Sequence, residues 1–254
     1  MTKGLSKTQG DRLGDRLRKG DISEADLRLL DQYRRSFTEA YEIVVGAIRR
    51  ELGLEPTGRP AKSTTSISDK LRRESIRLTQ IQDIAGCRLI ASDIAEQDMV
   101  VQSLGRLFEH ITVVDHRHQP SHGYRAVHVI ATCRGTLIEI QVRTSLQHLW
   151  AELSEKFSDV IDPAIKYGGG DKDIREILAL LSAAVDSAEL LEVELAATRA
   201  QFSSRGSLED VDKQKAIDEI QKGAVSVRQD LFNLLRRLAD NPPMLNGGND
   251  ALSD

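Results

Sequence analysis

The segment from His122 to Thr144, HGYRAVHVIATCRGTLIEIQVRT, constrains the fold more than any other part of the sequence. Two runs rich in Val, Ile and Thr flank the dipeptide Arg134-Gly135, and this pattern predicts a β-hairpin. If the turn is centred on that dipeptide and has an even number of residues, His128 lies opposite Gln141. The chain is therefore expected to contain a sheet in which these two strands are neighbours.

Side chains alternate between the two faces of a strand, so the hairpin has two different faces. One predicted face is apolar and suits packing beneath helices: Val127, Val129, Ile138, Ile140 and Val142. The other carries reactive side chains: Tyr124, His128, Glu139, Gln141 and Arg143. A purely structural sheet surface more often carries Lys, Thr and Ser. The polar set is therefore typical of a ligand-binding face, with a solvated sheet surface as the alternative.

A second candidate region lies upstream, where six basic and two acidic side chains occur between Arg59 and Arg77. Hydroxyl groups of the loop from Lys62 to Ser68 could meet phosphate oxygens, and a helix predicted from about Ser66 would point its positive N-terminal end the same way. Ser66 either contacts phosphate or caps that helix. The block suits a polyphosphate or an RNA backbone, and a solvated helix face is the alternative.

A buried strand is predicted from Gln82 to Ala91, with Gly86 allowing a neighbouring backbone to approach closely. Asp83 at the entrance of this strand is either a turn residue or a metal ligand. Arg88 within the strand either contacts a donor phosphate or forms a structural ion pair. The residues alone leave both pairs of alternatives open.

Three histidines and two cysteines invite a metal interpretation. His116, His118 and His122 fall in the polar loop before the hairpin, and their spacing matches no zinc motif, so they are interpreted as a loop rim. Cys87 and Cys133 have no partner spacing for zinc and are interpreted as small core residues.

Four motifs occur in the order in which they stand in the RelA/SpoT alarmone synthetases: KSTTSISDKL, QDIAGCRLI, GYRAVH and EIQVRT. The chain resembles that family from about Arg59 to Trp150. In the family, this domain moves pyrophosphate from ATP to the ribose 3′-hydroxyl of a guanine nucleotide. The resemblance therefore implies an ATP:nucleotide 3′-pyrophosphotransferase of the GTP diphosphokinase type, with a nucleotidyltransferase-like fold.

The resemblance also implies roles for individual residues. Asp83 and Glu139 match the acidic pair that binds Mg²⁺ and carries catalysis, and Tyr124 matches the platform on which the acceptor base stacks. Lys62 and Lys70 match contacts to the donor phosphates. The remaining expected nucleotide contacts are Arg59, Ser66, Arg72, Arg88, His128, Gln141 and Arg143.

Two positions depart from the family pattern. Family members commonly carry an Arg two residues before the Lys of the KS motif, whereas Arg59 stands three residues before Lys62. The segment before GYR usually contains a Pro-Lys pair, and here it is Pro120-Ser121. The first departure affects the role of Arg59, and the second removes a cation from the acceptor side.

The predicted fold is α+β: a mixed sheet of about five strands flanked by helices, with an N-terminal helix and a C-terminal helical extension. The sequence is divided into a basic mobile arm (1–20), a synthetase domain (21–168), a helical extension (169–240) and a disordered tail (241–254). Within it, Ser23 to Leu52 predicts one long amphipathic helix or a helix broken once, Ser92 to His110 a helix with Met99 inward, and Thr144 the cap of another helix.

Composition is that of an ordinary globular protein, with 254 residues, 40% hydrophobic and 29% charged. No apolar run reaches the roughly 18 residues that span a membrane, so a cytoplasmic protein without membrane contact is expected. The formal net charge of −4 argues against general nucleic-acid binding. The C-terminal helices carry no reactive cluster and are expected to bind a second copy or an antitoxin-like partner.

Three functions remain open from the sequence. The first is a synthetase that uses ATP and a free guanine or adenine nucleotide to make a (p)ppGpp-type alarmone. The second is a toxin-type relative that pyrophosphorylates the 3′ end of tRNA, which the basic N-terminal segment and the missing Lys near Ser121 keep under consideration. The third is a catalytically silent nucleotide-binding module that acts through its helical tail, and the presence of Asp83, Glu139 and Tyr124 weighs against it.

Overall fold

The computed structural model describes residues 5–203 and 210–242. The chain forms two compact units, which we call the sheet unit (Met1–His116 and Ala126–Arg143) and the helical unit (Arg117–Arg125 and Thr144–Asp254). The division differs from the predicted boundary after residue 168, because the helix that follows Thr144 clusters with the C-terminal helices and the loop before the hairpin clusters with them too.

The elements follow the predicted alternation of helices, strands and hairpin. In chain order they are α1 (Lys7–Lys19), α2 (Glu24–Arg35), α3 (Thr38–Leu52), β1 (Thr57–Arg59), α4 (Thr64–Arg73), β2 (Gly86–Ala91), α5 (Ile94–Leu107), β3 (Ile111–Asp115), β4 (Val127–Cys133), β5 (Thr136–Thr144), α6 (Ser145–Val160), α7 (Lys172–Ser203) and α8 (Asp210–Asp240). Short 3₁₀ turns cover Leu78–Gln80 and Ile165–Tyr167.

The five strands form one mixed sheet in the order β1-β2-β5-β4-β3. Strands β4 and β5 pair antiparallel, with His128 opposite Gln141 and Ile130 opposite Glu139, so the predicted register is confirmed. The turn lies at Arg134-Gly135, where both residues have positive φ (50° and 76°). Two successive positive φ angles suit the twist of the strands on either side of a tight hairpin.

The apolar face of the hairpin lies in the core of the sheet unit. Val129, Ile138 and Ile140 are fully buried there, together with Ile48 of α3 and Leu104 of α5. Burying side chains of this size contributes about 1.5–3 kcal/mol each, which fixes the strands against a one-residue slip. The polar face of β4 and β5 is thereby fixed as well.

The N-terminal residues differ from the expected mobile arm, since α1 packs against α4 and the first 3₁₀ turn. Leu13 and Leu17 are fully buried. A Cβ at Gly14 would lie 2.9 Å from Leu78 Cβ, so this glycine lets the two segments approach. Arg18 Nε donates to the carbonyl of Leu71 at 2.8 Å. Gly10 and Gly14, both buried in α1, thus form part of a helix-packing surface.

Several local predictions are refined. The helix predicted from Ser23 is broken once, between α2 and α3, and Ser23 caps α2 by accepting from the amide of Asp26. Ser63 rather than Ser66 caps α4. Strand β2 begins only at Gly86, and its residues alternate between buried and more exposed positions instead of being buried throughout. Met99, expected inward, is 59% exposed because it lies on the outer side of α5.

The helical unit has its own core, formed by α6, α7 and α8. Its buried residues include Trp150 and Phe157 of α6, Leu178 of α7 and Leu235 of α8. The indole Nε1 of Trp150 is buried and donates to the carbonyl of Leu178 at 2.8 Å. Thr144 caps α6 as predicted.

The surface of the helical unit bears on the remaining structural predictions. Large apolar side chains lie exposed on the outer side of α7, among them Leu180 (71%) and Leu190 (52%). Such side chains are compatible with the expected partner surface, which stays a prediction.

The predicted disordered tail falls almost wholly on residues 243–254, outside the described residues. In the part of the chain that the structure describes, every helix is too short or too polar to cross a bilayer.

Candidate active site

Asp83 lies at the centre of a small cluster of charges in the sheet unit. Lys62 Nζ is 2.6 Å from Asp83 Oδ2, and Lys70 Nζ is 2.9 Å from Asp83 Oδ1. The backbone amide of Lys62 donates to the carbonyl of Ile84 at 2.6 Å, which fixes this lysine beside the loop before β2. Lys70 reaches the same carboxylate from α4, whose start is held by the Ser63 cap. Three residues predicted for the site are therefore brought together.

The two lysines control the ionisation of Asp83. Burial by itself would raise the pKa of this carboxyl, but the charges of Lys62 and Lys70 and the hydrogen bonds they donate outweigh it and lower the pKa to about 2. Asp83 is consequently an anion throughout the neutral range. The lysines are equally suited to anionic oxygens of another kind, since an ammonium group binds carboxylate and phosphate alike.

Other residues of the basic block are placed differently. The Ser66 hydroxyl lies 2.7 Å from the Ser63 hydroxyl, at the capped end of α4. Arg72 follows Lys70 by two positions, which is about 200° around a helix, and it pairs with Asp69 at 3.3 Å on the exposed side. Arg59 is exposed in β1. The structure does not bring Arg72 to Asp83 in this conformation, and the binding roles of all three stay predictions.

Glu139 is held by its neighbours on the polar face of the hairpin. His128 Nδ1 lies 3.1 Å from Glu139 Oε1, and Gln141 Nε2 donates to Glu139 Oε2 at 2.7 Å. Arg143 Nη2 in turn donates to Gln141 Oε1 at 2.8 Å. Glu139, Gln141 and Arg143 share this face because alternate residues of a strand point the same way. Four of the five side chains predicted for the polar face thus form one hydrogen-bonded chain.

Glu139 is also coupled to Asp83. Burial would raise the pKa of Glu139, while the hydrogen bond and the charge of His128 lower it; the negative charge of Asp83 raises it again, and a hydrogen bond from Gln141 lowers it. The net effect is a pKa below the ordinary value. The two carboxylates therefore act on each other electrostatically, and both are ionised near neutral pH.

His116 belongs to this face and was missed by the sequence analysis, which placed it in a loop rim. Its ring packs edge-on against the ring of His128, with 4.9 Å between centroids. Burial, followed by the charge of His128, lowers the pKa of His116. Val114 of β3 lies opposite His128, so His116, two residues further, continues the same face. Extending the alternation of β3 by two residues beyond Val114 would have found it.

Gly86 sets the spacing between β2 and β5 beside the site. A Cβ at this position would lie 2.7 Å from the carbonyl oxygen of Glu139 and 3.3 Å from its Cβ. The backbone amide of Glu139 donates to the carbonyl of Ala85 at 3.1 Å. The predicted close approach is confirmed, because a larger residue would push β5 away from β2.

Arg88 and Tyr124 complete the predicted set. Arg88 is half-buried in β2, opposite Thr57 of β1. Tyr124 lies before the start of β4, so strand alternation does not place it on the polar face as predicted. It belongs to the helical unit, where it is half-buried against the core and pairs with Ser121 through a backbone bridge. Its role as a base platform stays a prediction.

Comparison with known proteins gives a family for this fold and site. A family model described as a region found in RelA/SpoT proteins matches residues 58–158. The GTP pyrophosphokinase YjbM of Bacillus subtilis is 32% identical over 161 residues, which are 57% of this chain and 71% of that protein. The chain belongs to the RelA/SpoT family. All the residues of the two carboxylate clusters lie within the matched segment.

Other known proteins are similar to this chain over different lengths. An uncharacterized protein of Mycobacterium tuberculosis, Rv1366, is 39% identical over 111 residues, so the chain spans only 41% of that relative's length. The crystal structure of small alarmone synthetase 1 from Bacillus subtilis superimposes with a TM-score of 0.51 and 25% identity, covering 66% of this chain and 97% of that one. The predicted α+β fold of a small alarmone synthetase is thereby confirmed.

The RelA/SpoT match ends inside α6. Helices α7 and α8 lie beyond it, although they share the helical unit with the loop that carries the GYR motif. A segment outside the family model is therefore packed with a segment inside it.

Proposed function

We propose that this protein transfers pyrophosphate from ATP to the ribose 3′-hydroxyl of a guanine nucleotide and so makes a (p)ppGpp-type alarmone. The observation that carries this function is the coupled pair Asp83 and Glu139, one held by two lysines and the other by His128 and Gln141. A pair of ionised carboxylates beside two ammonium groups suits a site for a polyphosphate and its cation.

Magnesium fits the donor set. Two coupled carboxylates supply the hard oxygen ligands that Mg²⁺ prefers, and substrate phosphates and water complete its shell. Asp83 and Glu139 would hold the ion, which would neutralise charge on the polyphosphate. Each carboxylate already accepts hydrogen bonds from two neighbours, so binding requires those neighbours to give up some of these contacts.

The lysines are the residues most able to change partners. Lys62 and Lys70 are half-buried and carry flexible stems, and in the absence of nucleotide they neutralise Asp83. With ATP and Mg²⁺ bound, Asp83 would be available as an oxygen ligand of the ion, and the ammonium groups of Lys62 and Lys70 would turn to the donor phosphates. The exchange keeps every charge compensated, which matters in a partly buried site.

Glu139 is the group that accepts the proton of the attacking hydroxyl, and His128 supports it. A carboxylate whose pKa lies below its ordinary value is ready to accept a hydrogen bond from the hydroxyl but holds a proton weakly. His128 Nδ1, 3.1 Å from Glu139 Oε1, donates a hydrogen bond that keeps the carboxylate ionised and so able to accept. Gln141 fixes the other oxygen of Glu139, and Arg143 fixes Gln141, so the carboxylate keeps one orientation.

The acceptor is inferred from the relatives and from Tyr124. A related Bacillus subtilis protein is named GTP pyrophosphokinase, and small alarmone synthetase 1 of that organism is described in complex with its product pppGpp. Tyr124 would stack on the acceptor base, which is worth about 1–3 kcal/mol and is tolerant of base identity. A tRNA 3′ end and an adenine nucleotide are the competing acceptors, and a silent nucleotide-binding module is the competing function.

One labelling experiment separates these functions. The purified protein is incubated with ATP labelled on its β- and γ-phosphates, MgCl₂ and, in parallel reactions, GDP, GTP, ADP or deacylated tRNA. Label on GDP or GTP supports the proposed function, and label on tRNA alone identifies the toxin-type reaction. Transfer to ADP alone identifies an adenine alarmone synthetase. No transfer, together with nucleotide binding by calorimetry, identifies the silent module.

A further inference from the structure

The loop that carries Tyr124 is fixed to α7 on one side of the tyrosine. Arg125 Nη1 lies 3.0 Å from Asp186 Oδ1, and Arg125 Nε donates to the Ser182 hydroxyl at 3.2 Å. The same guanidinium donates to the carbonyl of Arg117 at the other end of the loop. Its side chain is only 12% exposed, so these contacts leave it little freedom. Arg125 therefore closes the loop and joins it to α7.

The residue on the other side of Tyr124 is fixed by the same helix. Ser182 Oγ donates to the carbonyl of Gly123 at 2.7 Å. Gly123 has φ of +87°, and a Cβ there would lie 2.7 Å from Trp150 Cζ2 and 3.2 Å from Ser182 Cβ. The indole nitrogen of Trp150 itself donates a hydrogen bond to the backbone carbonyl of Leu178 in α7. Only glycine fits this position, because the conformation and the space both exclude a side chain.

A third contact holds the beginning of the turn. His122 adopts a positive φ of 53°. Its ring lies against Gly168, because a Cβ built on Gly168 would be only 2.2 Å from His122 Nδ1. Gly168 follows the short turn between α6 and α7. The run from His122 to Arg125 is thus held at His122, Gly123 and Arg125. The residues outside the loop that hold it lie in α6, in α7 or in the turn that joins these two helices.

We propose that α7 positions the loop carrying Tyr124, and that Ser182 and Asp186 are positioning residues for the acceptor nucleotide. This inference rests on the proposed function, in which Tyr124 stacks on the acceptor base. Ser182 fixes Gly123 directly and, with Asp186, fixes Arg125, so α7 sets the backbone from which the tyrosine ring projects. Helix α7 lies beyond the segment matched by the family model, so a family motif is supported here by a helix outside that model.

The consequence is specific to one substrate. Stacking depends on the position and tilt of the ring, and a displacement of about 1 Å at a substrate-positioning group can cost up to about a hundredfold. The donor contacts proposed for Lys62 and Lys70 belong to the sheet unit. Loss of the α7 contacts is therefore expected to raise the KM for the acceptor and to leave the KM for ATP unchanged.

The test uses full-length Asp186→Asn and Ser182→Ala proteins with GTP as acceptor. We expect the KM for GTP to rise about tenfold, with the KM for ATP and kcat within about twofold of the wild type. Asp186→Glu, which keeps the carboxylate, should recover most of the lost affinity. Glu176→Gln removes an exposed ion pair with Lys172 (3.3 Å) on the same helix and should change nothing.

Hydrogen exchange gives a second measurement that does not depend on turnover. The peptide containing Tyr124 should exchange faster in Asp186→Asn and in Ser182→Ala, while the peptide containing Glu139 should not. Unchanged GTP affinity in a folded variant overturns the inference, as does a rise in both KM values together. A fall in melting temperature without this selectivity identifies a role in stability alone and also overturns it. If the wild-type protein labels no acceptor, the proposed function fails, and the acceptor role of the loop fails with it.

Discussion

The polar face of the hairpin and the loop that carries Tyr124 are adjacent in sequence, yet they are held in place by different means. On the hairpin, Glu139, Gln141 and Arg143 are positioned by strand alternation and by hydrogen bonds between residues two apart. In the loop, Gly123 and Arg125 are positioned by side chains of α7 that lie about sixty residues further along the chain.

This difference in support shows which parts of the site depend on distant segments of the chain. The hairpin face needs only the correct register, and that register is fixed by the buried apolar face. The loop needs a helix that the family model does not include. Changes to the sheet should therefore affect chemistry or folding directly, whereas changes to the helical unit should act through the loop.

The largest expected effect is on the hairpin face. Glu139→Gln keeps the shape of the side chain but removes the charge that would hold Mg²⁺ and accept the proton, so kcat should fall about a thousandfold while the fold is kept. Labelled-phosphate turnover and circular dichroism measure both. Glu109→Gln changes a carboxylate that is 90% exposed and serves as the control. Turnover near that of the wild type would remove Glu139 from the proposed site.

The next largest effect separates the two faces of β5. Ile140 is fully buried, so Ile140→Ala should lower the free energy of unfolding by about 2–5 kcal/mol. Its neighbour Gln141 points to the polar face and orients Glu139, so Gln141→Ala should hardly change stability yet reduce turnover. Urea unfolding and steady-state kinetics on both variants make the comparison. Equal loss of stability in the two would contradict the division of the strand into a core face and a reactive face.

Substitutions at two glycines, one in β2 and one in α3, test how closely β2 must approach β5. Gly86→Ala places a methyl group 2.7 Å from the carbonyl oxygen of Glu139, so it should lower the free energy of unfolding by about 1–3 kcal/mol and reduce turnover. Gly46→Ala is the matched control in α3, where a Cβ meets nothing within 4 Å. It should raise stability by about 0.5–1 kcal/mol, because alanine favours a helix over glycine. Two variants of equal stability would show that the contact at Gly86 is readily relieved.

The smallest expected effect is on pH dependence, which should have opposite signs in the two units. The pKa of Asp83 is lowered to about 2, so its contribution is present above the unfolded pKa of roughly 4 and is lost as the pH falls through about 2. Glu189, buried in α7 and bonded to Thr144 and Gln147, has a pKa raised chiefly by burial. Its contribution is complete below the unfolded value near 4.5 and is lost as the pH rises through the folded pKa.

Asp83→Asn and Glu189→Gln measure these contributions in denaturant titrations at a series of pH values. Asp83→Asn should flatten the curve between about pH 4 and pH 2. Glu189→Gln should flatten it above about pH 4.5. If both variants show the same dependence of unfolding free energy on pH as the wild type, neither carboxyl contributes to stability through a shifted pKa.

The sequence by itself determined the hairpin, its register and the composition of both faces. The reason is physical: a period of two residues and a two-residue turn fix which side chains are opposite, and Arg134-Gly135 supplied that turn. The cap at Thr144 was equally readable, because the bonded groups are three residues apart. The resemblance added the pairing of Asp83 with Glu139; the charge of Asp83 raises the pKa of Glu139, and the catalytic role of the pair stays a prediction.

Tertiary structure decided what depends on contacts between distant segments. Residues Lys7–Lys19 form a packed helix because Leu13 and Leu17 are buried against a surface near Leu78, which the glycine-rich local sequence does not indicate. The position of Tyr124 depends on Arg125 meeting Asp186, and no periodicity links residues so far apart in sequence. Local patterns specify secondary structure and its faces, whereas the pairing of remote side chains follows only from how the elements pack.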